Sequence, residues 1–345
     1  MADTADSAGL GALRQRYGAA LDAEIEGWIE RVGYPRQFPG MLRYQMGYVD
    51  EKLRAASHPG KRVRPFLCLA VCEALCGACT AALPVAAGIE MLHNFSLVHD
   101  DIEDRDPSRH HRPTVWRVWG EAQAINAGDA MFAVAARAVA DYDAGDAGSL
   151  VTQQFQETAL ALTKGQYLDM SFEQRQEVST DEYLQMITLK SAALLAFSTW
   201  AGAVVGGGSD RQQGLLFDFG DNLGRAFQIH DDVNGIWGDE ESTGKQGRSD
   251  LERRKKTFPV VTAMGEASGP DHDRLRRFYA GDTDEVRAVV EVLERVGARE
   301  TSQRALHHYL QLALQSLSEA SLPPPFDQQL KAVAEEYTGQ RDAVS

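Results

Sequence analysis

Apolar positions recur at helical spacing from about residue 11 to residue 340, and no stretch alternates apolar and polar residues as a half-buried strand would. The pattern is interrupted at Gly33-Tyr34-Pro35, Phe38-Pro39-Gly40, His58-Pro59-Gly60, Asp106-Pro107, Asp143 to Asp146, Gly206 to Ser209, Gly235 to Ser249, Ser268-Gly269-Pro270 and Leu322 to Pro325. The segments between these breaks predict about ten helices. None of the breaks has the composition of a flexible interdomain linker. The expectation is one all-α domain over residues 9–341, with a disordered N-terminus over 1–8 and a short tail over 342–345.

Two acidic clusters are embedded in this apolar pattern. His99-Asp100-Asp101-Ile102-Glu103-Asp104 follows Met91, Leu92, Phe95, Leu97 and Val98; Gln228-Ile229-His230-Asp231-Asp232 follows Leu223, Ala226 and Phe227. On a helix, carboxylates at i and i+4 stand one above the other, so Asp100 and Asp104 share a face with Asp101 flanking them. That arrangement is repulsive unless cations sit between the carboxylates, and the expected occupant is Mg²⁺, a hard cation that prefers carboxylate, water and phosphate oxygens.

Composition narrows the partners. The 345 residues carry a net charge of −15, which excludes nucleic acid and anionic membrane surfaces as main partners, because both are bound through basic patches. No continuous apolar run approaches the roughly 18 residues of a membrane span, and the start Met1-Ala2-Asp3-Thr4 lacks the basic and apolar stretches of a signal peptide. The expectation is a cytoplasmic protein without stable membrane insertion. Cys72, Cys76 and Cys79 have the C-x3-C-x2-C spacing that holds an iron–sulfur cluster in radical enzymes, but no alternating strand and helix pattern lies nearby, and the mostly four-residue steps from Cys68 match a helix's buried stripe, where thiols pack as small hydrophobes and bridge poorly. The histidines at 93, 99, 110 and 111 do not require a transition-metal site.

The basic residues are few and grouped. Gly60-Lys61-Arg62-Val63-Arg64-Pro65 places an ammonium and a guanidinium three residues apart, within reach of one anion on a helical face, with Gly60 at the helix start. Arg109-His110-His111-Arg112 follows the first acidic cluster, and Lys190 stands alone. A glycine-rich loop, Gly238 to Asp250, contains Lys245 and continues to Lys255-Lys256-Thr257; it lacks the spacing and the preceding strand of a nucleotide P-loop. Carboxylates with scattered Lys and Arg suit a diphosphate bridged by Mg²⁺ and clamped by cations, and apolar helices suit a hydrocarbon tail. A hydrocarbon diphosphate is an isoprenoid.

From about residue 40 to 341 the chain resembles the trans-isoprenyl diphosphate synthases, the polyprenyl synthetase family. The matching segments are Gly60–Pro65, DDIED at 100–104, GEAQAINAGDAMF at 120–132, GQYLD at 165–169, LKSAAL at 189–194, FQIHDDVNGIWGDEESTGKQGRSDL at 227–251 and KKTFPVV at 255–261. The resemblance implies a helical bundle around a central cavity, the isoprenoid synthase fold, as a homodimer joining isopentenyl diphosphate to an allylic diphosphate with about three Mg²⁺ per active site. By position it makes Asp100, Asp101, Asp104, Asp169 and Asp231 metal ligands, and Arg109, Lys190, Lys245 and Lys255 clamps on the allylic diphosphate. Lys61, Arg64 and His93 match the isopentenyl diphosphate site, with His110 beside it, and Gln166 the position that steadies the allylic cation. Asp100, Asp104, Arg109, Lys190, Asp231 and Lys245 are thereby the catalytic set.

Product length in the family depends on the helix ahead of the first acidic motif. Bulky Phe95, small Ser96 and the lack of a two-residue insertion in DDIED resemble short-chain synthases, which implies geranylgeranyl diphosphate and next farnesyl diphosphate; Phe95 as a plain core residue would carry no such meaning. Two positions depart from the pattern. Gly235 replaces the last aspartate of the second motif, although Asp239 lies one turn on, and His110 replaces an arginine that contacts isopentenyl diphosphate. Histidine has no bidentate fork and is charged only near or below neutral pH, so weaker binding of the second substrate is expected unless His111 or Arg112 compensates. The alternatives to a synthase are a terpene synthase that ionises an allylic diphosphate without condensation, and a non-catalytic subunit that binds prenyl diphosphates.

Overall fold

The computed structural model describes residues 9–58, 60–238 and 249–340; Lys245, Asp239, the segment 1–8 and the tail 342–345 lie outside the described residues. The chain is all-α. Its helices are α1 (Leu10–Glu30), α2 (Gln37–Gln45), α3 (Val63–Cys76), α4 (Leu83–Glu103), α5 (Val115–Trp119), α6 (Glu121–Ala140), α7 (Asp146–Glu173), α8 (Thr180–Ile187), α9 (Ala193–Val205), α10 (Asp210–Trp237), α11 (Ser249–Glu252), α12 (Phe258–Glu266), α13 (Gly269–Tyr279), α14 (Val286–Arg295), α15 (Ala298–Ala320) and α16 (Phe326–Tyr337). Among the described residues the one sheet is an antiparallel pair, β1 (Ser108–Arg109) and β2 (Arg112–Pro113). Strands of two residues are too short to show alternation, so periodicity does not predict them.

Most breaks fall between helices, with two instructive exceptions. Phe38-Pro39-Gly40 interrupts nothing, because α2 begins at Gln37 and holds Pro39 in its first turn, where a missing N–H removes no helical bond. Gly235 lies inside α10. Elsewhere the local signals act as expected: Ser179 and Glu182 close a reciprocal capping box at the start of α8, and Gly77 ends α3 in the left-handed conformation. Between α8 and α9 the turn Thr188–Ala192 is π-helical.

The chain groups into two compact units. One comprises the described residues within Met1–Ala159, Ala196–Phe217 and Leu317–Val333, the other those within Leu160–Leu195, Asp218–Ser316 and Ala334–Ser345. In the first, α4 packs along α6 and against α1 and α3, burying Leu13, Tyr17, Leu21, Phe66, Ile89, Leu92 and Met131. Cys68 and Cys72 lie in this core as free thiols, while Cys76 at the end of α3 is exposed. In the second unit, Phe172, Tyr183, Met186, Ile229, Phe258 and Leu306 form one buried cluster and Leu251, Val260, Leu275, Phe278 and Val292 another. Each such side chain contributes roughly 1.5–3 kcal/mol when fully buried. Unlike the continuous apolar runs of the sequence, the helical stretches Thr80–Glu103 and Thr180–Val205 are each long and apolar enough to cross a membrane by length and composition, yet most of each is buried inside the protein, as the face of a core helix must be.

Candidate active site

In the first unit, α4 runs into its acidic cluster. Asp104 caps the helix, and its N–H donates to the Asp100 carbonyl at 2.8 Å, so the helical register that stacks the two residues persists to the end. Both side chains are half-buried, and the last turn holds no basic residue. The negative end of a helix dipole disfavours carboxylates by about 0.3–1 kcal/mol each, so a group of them there favours a cation. Among the described residues no three acidic, histidine or cysteine side chains converge into a complete metal cage. Magnesium usually takes one or two carboxylates and completes its shell with water and substrate phosphate oxygens, so this all-oxygen donor set fits it.

Asp101 behaves differently from its neighbours. It is 2% exposed, and its Oδ1 accepts a hydrogen bond from Arg109 Nε at 2.8 Å with Nη2 also at 2.8 Å. Burial opposes the charge on Arg109, but Asp101, with Asp100 and Asp106, outweighs it and holds the guanidinium above its ordinary value. Arg109 reaches Asp101 from β1, which pairs with β2 in the register Ser108↔Pro113 and Arg109↔Arg112. The two loop residues, His110 (φ 49) and His111 (φ 60), are both left-handed, as a type I′ hairpin requires. Arg112 is engaged elsewhere: Nη2 donates to the Val49 carbonyl at 2.9 Å, and the guanidinium lies 4.2 Å from the Tyr44 ring centre. It anchors the hairpin rather than standing in for an arginine at 110, and His111 is exposed.

The basic segment differs from its expected form. Helix α3 begins at Val63 after Arg62, whose backbone is left-handed (φ 52), so Gly60 and Lys61 precede the helix and Lys61 does not share a helical face with Arg64. Lys61 is exposed. Arg64 Nη1 lies 3.4 Å from His93 Nε2 on α4, and Arg64 Nε is buried without a hydrogen-bond partner among the described residues. Burial, reinforced by the charges of Arg64, Arg109 and His110, holds His93 well below its ordinary value and therefore neutral. An unsatisfied guanidinium nitrogen beside a neutral imidazole suits an anionic oxygen. Two positions on from His93, the Phe95 ring sits 5.4 Å from Phe132 on α6 and 4.8 Å from His99, while Ser96 Oγ donates to the His93 carbonyl at 2.8 Å.

In the second unit, Lys190 rides on the π-helical turn, and its Nζ lies 2.5 Å from Asp169 Oδ2 on α7. Gly165 allows this approach, because a Cβ there would collide with the Lys190 backbone; half-buried Gln166 follows it. On α10, Asp231 is exposed. Asp232 is 4% exposed and accepts from the Tyr183 hydroxyl, from Gln228 Nε2 at 3.0 Å and from the Phe258 N–H at 2.8 Å. Burial pushes the Asp232 carboxyl up to about 7 against the pull of those bonds. Because Phe258 opens α12, its N–H is one of that helix's orphan donors and Asp232 satisfies it. A Cβ on Gly235 would collide with the carboxylate of Asp250, so another acidic side chain already fills the space beside the missing aspartate. Lys255 is half-buried; buried Lys256 instead ties the end of α7, donating to the Phe172 carbonyl at 2.7 Å.

Arg62, Asp232, Tyr183, Lys256 and Asp250 escaped sequence reasoning. For Asp232 a signal existed: Ile229, Asp232, Val233 and Ile236 fall on one buried stripe of α10. Asp101 lies likewise in phase with buried Met91, Asn94 and Val98. No comparable phase separates Lys255 from Lys256 in an irregular segment.

The family model for polyprenyl synthetase matches residues 49–296. The (2E,6E)-farnesyl diphosphate synthase of Mycobacterium tuberculosis is 37% identical over 291 residues, spanning 82% of this chain and 80% of that protein. The geranylgeranyl diphosphate synthase of the same organism is 36% identical over 291 residues, spanning 82% of each. Among solved structures, the polyprenyl synthetase from Streptomyces coelicolor A3(2) is 33% identical and superposes with a TM-score of 0.85, covering 95% of this chain and 99% of that one.

Proposed function

Given that this chain belongs to the polyprenyl synthetase family and is a prenyltransferase of the isoprenoid synthase fold, we propose that it joins isopentenyl diphosphate to an allylic diphosphate with Mg²⁺ and releases a short all-trans product, geranylgeranyl diphosphate first and farnesyl diphosphate second. The observation that carries the proposal is the end of α4: half-buried Asp100 and Asp104 at a negative helix terminus, in the same unit as the Arg64–His93 pair with its orphaned guanidinium nitrogen.

In the first unit Asp100 and Asp104, and in the second Asp169 and Asp231, would serve as magnesium ligands. When bound, the metal supplies charge that stabilises the departing diphosphate. Arg109, Lys190, Lys245 and Lys255 bind the allylic diphosphate. Asp101 fixes the direction of Arg109, and Asp169 holds Lys190 in place for an anion. Lys61, Arg64 and His93 bind isopentenyl diphosphate, His93 as a neutral donor, and His110 adds attraction only when protonated. Gln166 steadies the allylic cation through its amide oxygen. Holding both substrates in register supplies much of the acceleration, and the site must exclude water from the cation. The released diphosphate accepts the proton, so no strong side-chain base is needed. Phe95, backed by Phe132, limits the growing chain. The enzyme is read as a cytoplasmic homodimer; exposed Ile125 on α6 and Leu160, Tyr167 and Met170 on α7 support a partner copy, and light scattering checks it.

Incubating the protein with Mg²⁺, isopentenyl diphosphate and each of dimethylallyl, geranyl and farnesyl diphosphate, with mass spectrometry before and after phosphatase, tests the proposal. Linear geranylgeraniol released only by phosphatase is the expected result. A hydrocarbon or alcohol formed without phosphatase and without isopentenyl diphosphate would replace the synthase with a terpene synthase, and no product from any primer would leave a binding subunit.

A further inference from the structure

Arg62 has no role in the chemistry above, yet it is a buried cation set among two carboxylates and a phenol. It is 5% exposed in a loop whose neighbour Lys61 is exposed. Its Nη2 donates to the Tyr48 hydroxyl at 2.9 Å and lies 3.1 Å from Asp22 Oδ1, while Nη1 lies 3.5 Å from Glu90 Oε1. The contacts are themselves braced. Tyr48 donates to Asp22 at 2.8 Å, and buried Asn94 donates to Glu90 Oε1 at 3.0 Å and accepts from Gln45 at 3.2 Å. A left-handed backbone at a bulky residue persists only where its surroundings over-determine it, and this network does so.

The location gives the network its meaning. Glu90 lies on α4 three residues before His93, and Arg64 lies two residues after Arg62. The ion pair of Arg62 with Glu90, a charge contact at 3.5 Å without a hydrogen bond, thus brings the Lys61–Arg64 turn against the same helical turn that presents His93, where Arg64 lies 3.4 Å from that ring. We infer that Arg62 and Glu90 are positioning residues for isopentenyl diphosphate: they never touch it, but hold the three groups that bind it in one register. The inference rests on the function proposed above. A buried ion pair contributes little net stability compared with an apolar pair of the same volume, so placement, not strength, is the effect to measure.

The test compares Glu90→Gln and the double variant Arg62→Met/Glu90→Gln with the parent, in steady-state kinetics for both substrates and in calorimetric titration with isopentenyl diphosphate alone. Both variants are expected to raise KM for isopentenyl diphosphate about tenfold and weaken its binding in proportion, while KM for the allylic substrate stays within about twofold. Arg62→Lys, which keeps the charge and loses the fork, should fall between parent and double variant. If Glu90→Gln does not fold, Glu90→Asp replaces it, with a smaller shift in the same substrate only. Unchanged binding, or a parallel rise in both KM values, would overturn the inference while leaving the synthase intact. A parent protein that neither binds isopentenyl diphosphate nor forms product would overturn both.

Discussion

The aspartate pairs Asp100-Asp101 on α4 and Asp231-Asp232 on α10 read alike, and each divides its labour in the same way. The first member is accessible, half-buried at 100 and exposed at 231; the second is buried and bonds a later segment of chain. What differs is the partner. Asp101 holds the hairpin through a charged guanidinium, whereas Asp232 has only neutral donors: the Phe258 N–H at the start of α12, the Tyr183 phenol of α8 and the Gln228 amide of its own helix. An acidic motif thus mixes accessible carboxylates, proposed here to bind, with buried ones that build. The charge of the buried partner decides how costly the builder is to remove.

The largest expected effect follows from that charge. Asp101→Asn leaves half-buried Arg109 without its closest counter-ion and should cost about 2–3 kcal/mol in urea denaturation, with much of the loss recovered in Asp101→Asn/Arg109→Met. A loss below about 1 kcal/mol would break the contrast. Gly235→Asp comes next: it formally restores the motif, but forces a second carboxylate against Asp250 and should cost about 1–2 kcal/mol without raising kcat. Removing Asp250 as well, in Gly235→Asp/Asp250→Gly, should relieve it. Asp232→Asn should cost only about 1 kcal/mol, because an amide oxygen still serves part of the neutral donor set.

The smallest effect is a pH dependence in the first unit. His93 binds its proton more weakly in the fold than its ordinary value of 6.5, so below that value the unfolded chain takes up a proton that the folded chain refuses. Stability from this residue is complete above about pH 6.5 and falls as pH drops below it. The parent should therefore lose more thermal stability between pH 7 and pH 5 than His93→Gln; equal losses would mean that His93 is charged in the fold.

The helical architecture was legible because burial imposes a period on long segments, and the order of the acidic and basic motifs pointed to diphosphate chemistry. The inner geometry was less so. The π-helical turn under Lys190 and the hairpin that aims Arg109 are set by tertiary contacts, which local pattern does not contain. Arg62 and Arg64 look equivalent in sequence; a single left-handed residue sends one inward and leaves the other beside His93. Gly235 reads as a lost ligand until Asp250 is found against it.

The division between binding and building is tested most directly by titrating Asp231→Asn and Asp232→Asn with a non-ionising thiolo analogue of dimethylallyl diphosphate in the presence of Mg²⁺. Asp231→Asn is expected to weaken this binding at least about tenfold, while Asp232→Asn, once folded, binds within about threefold of the parent. Equal loss of affinity in the two variants would contradict it.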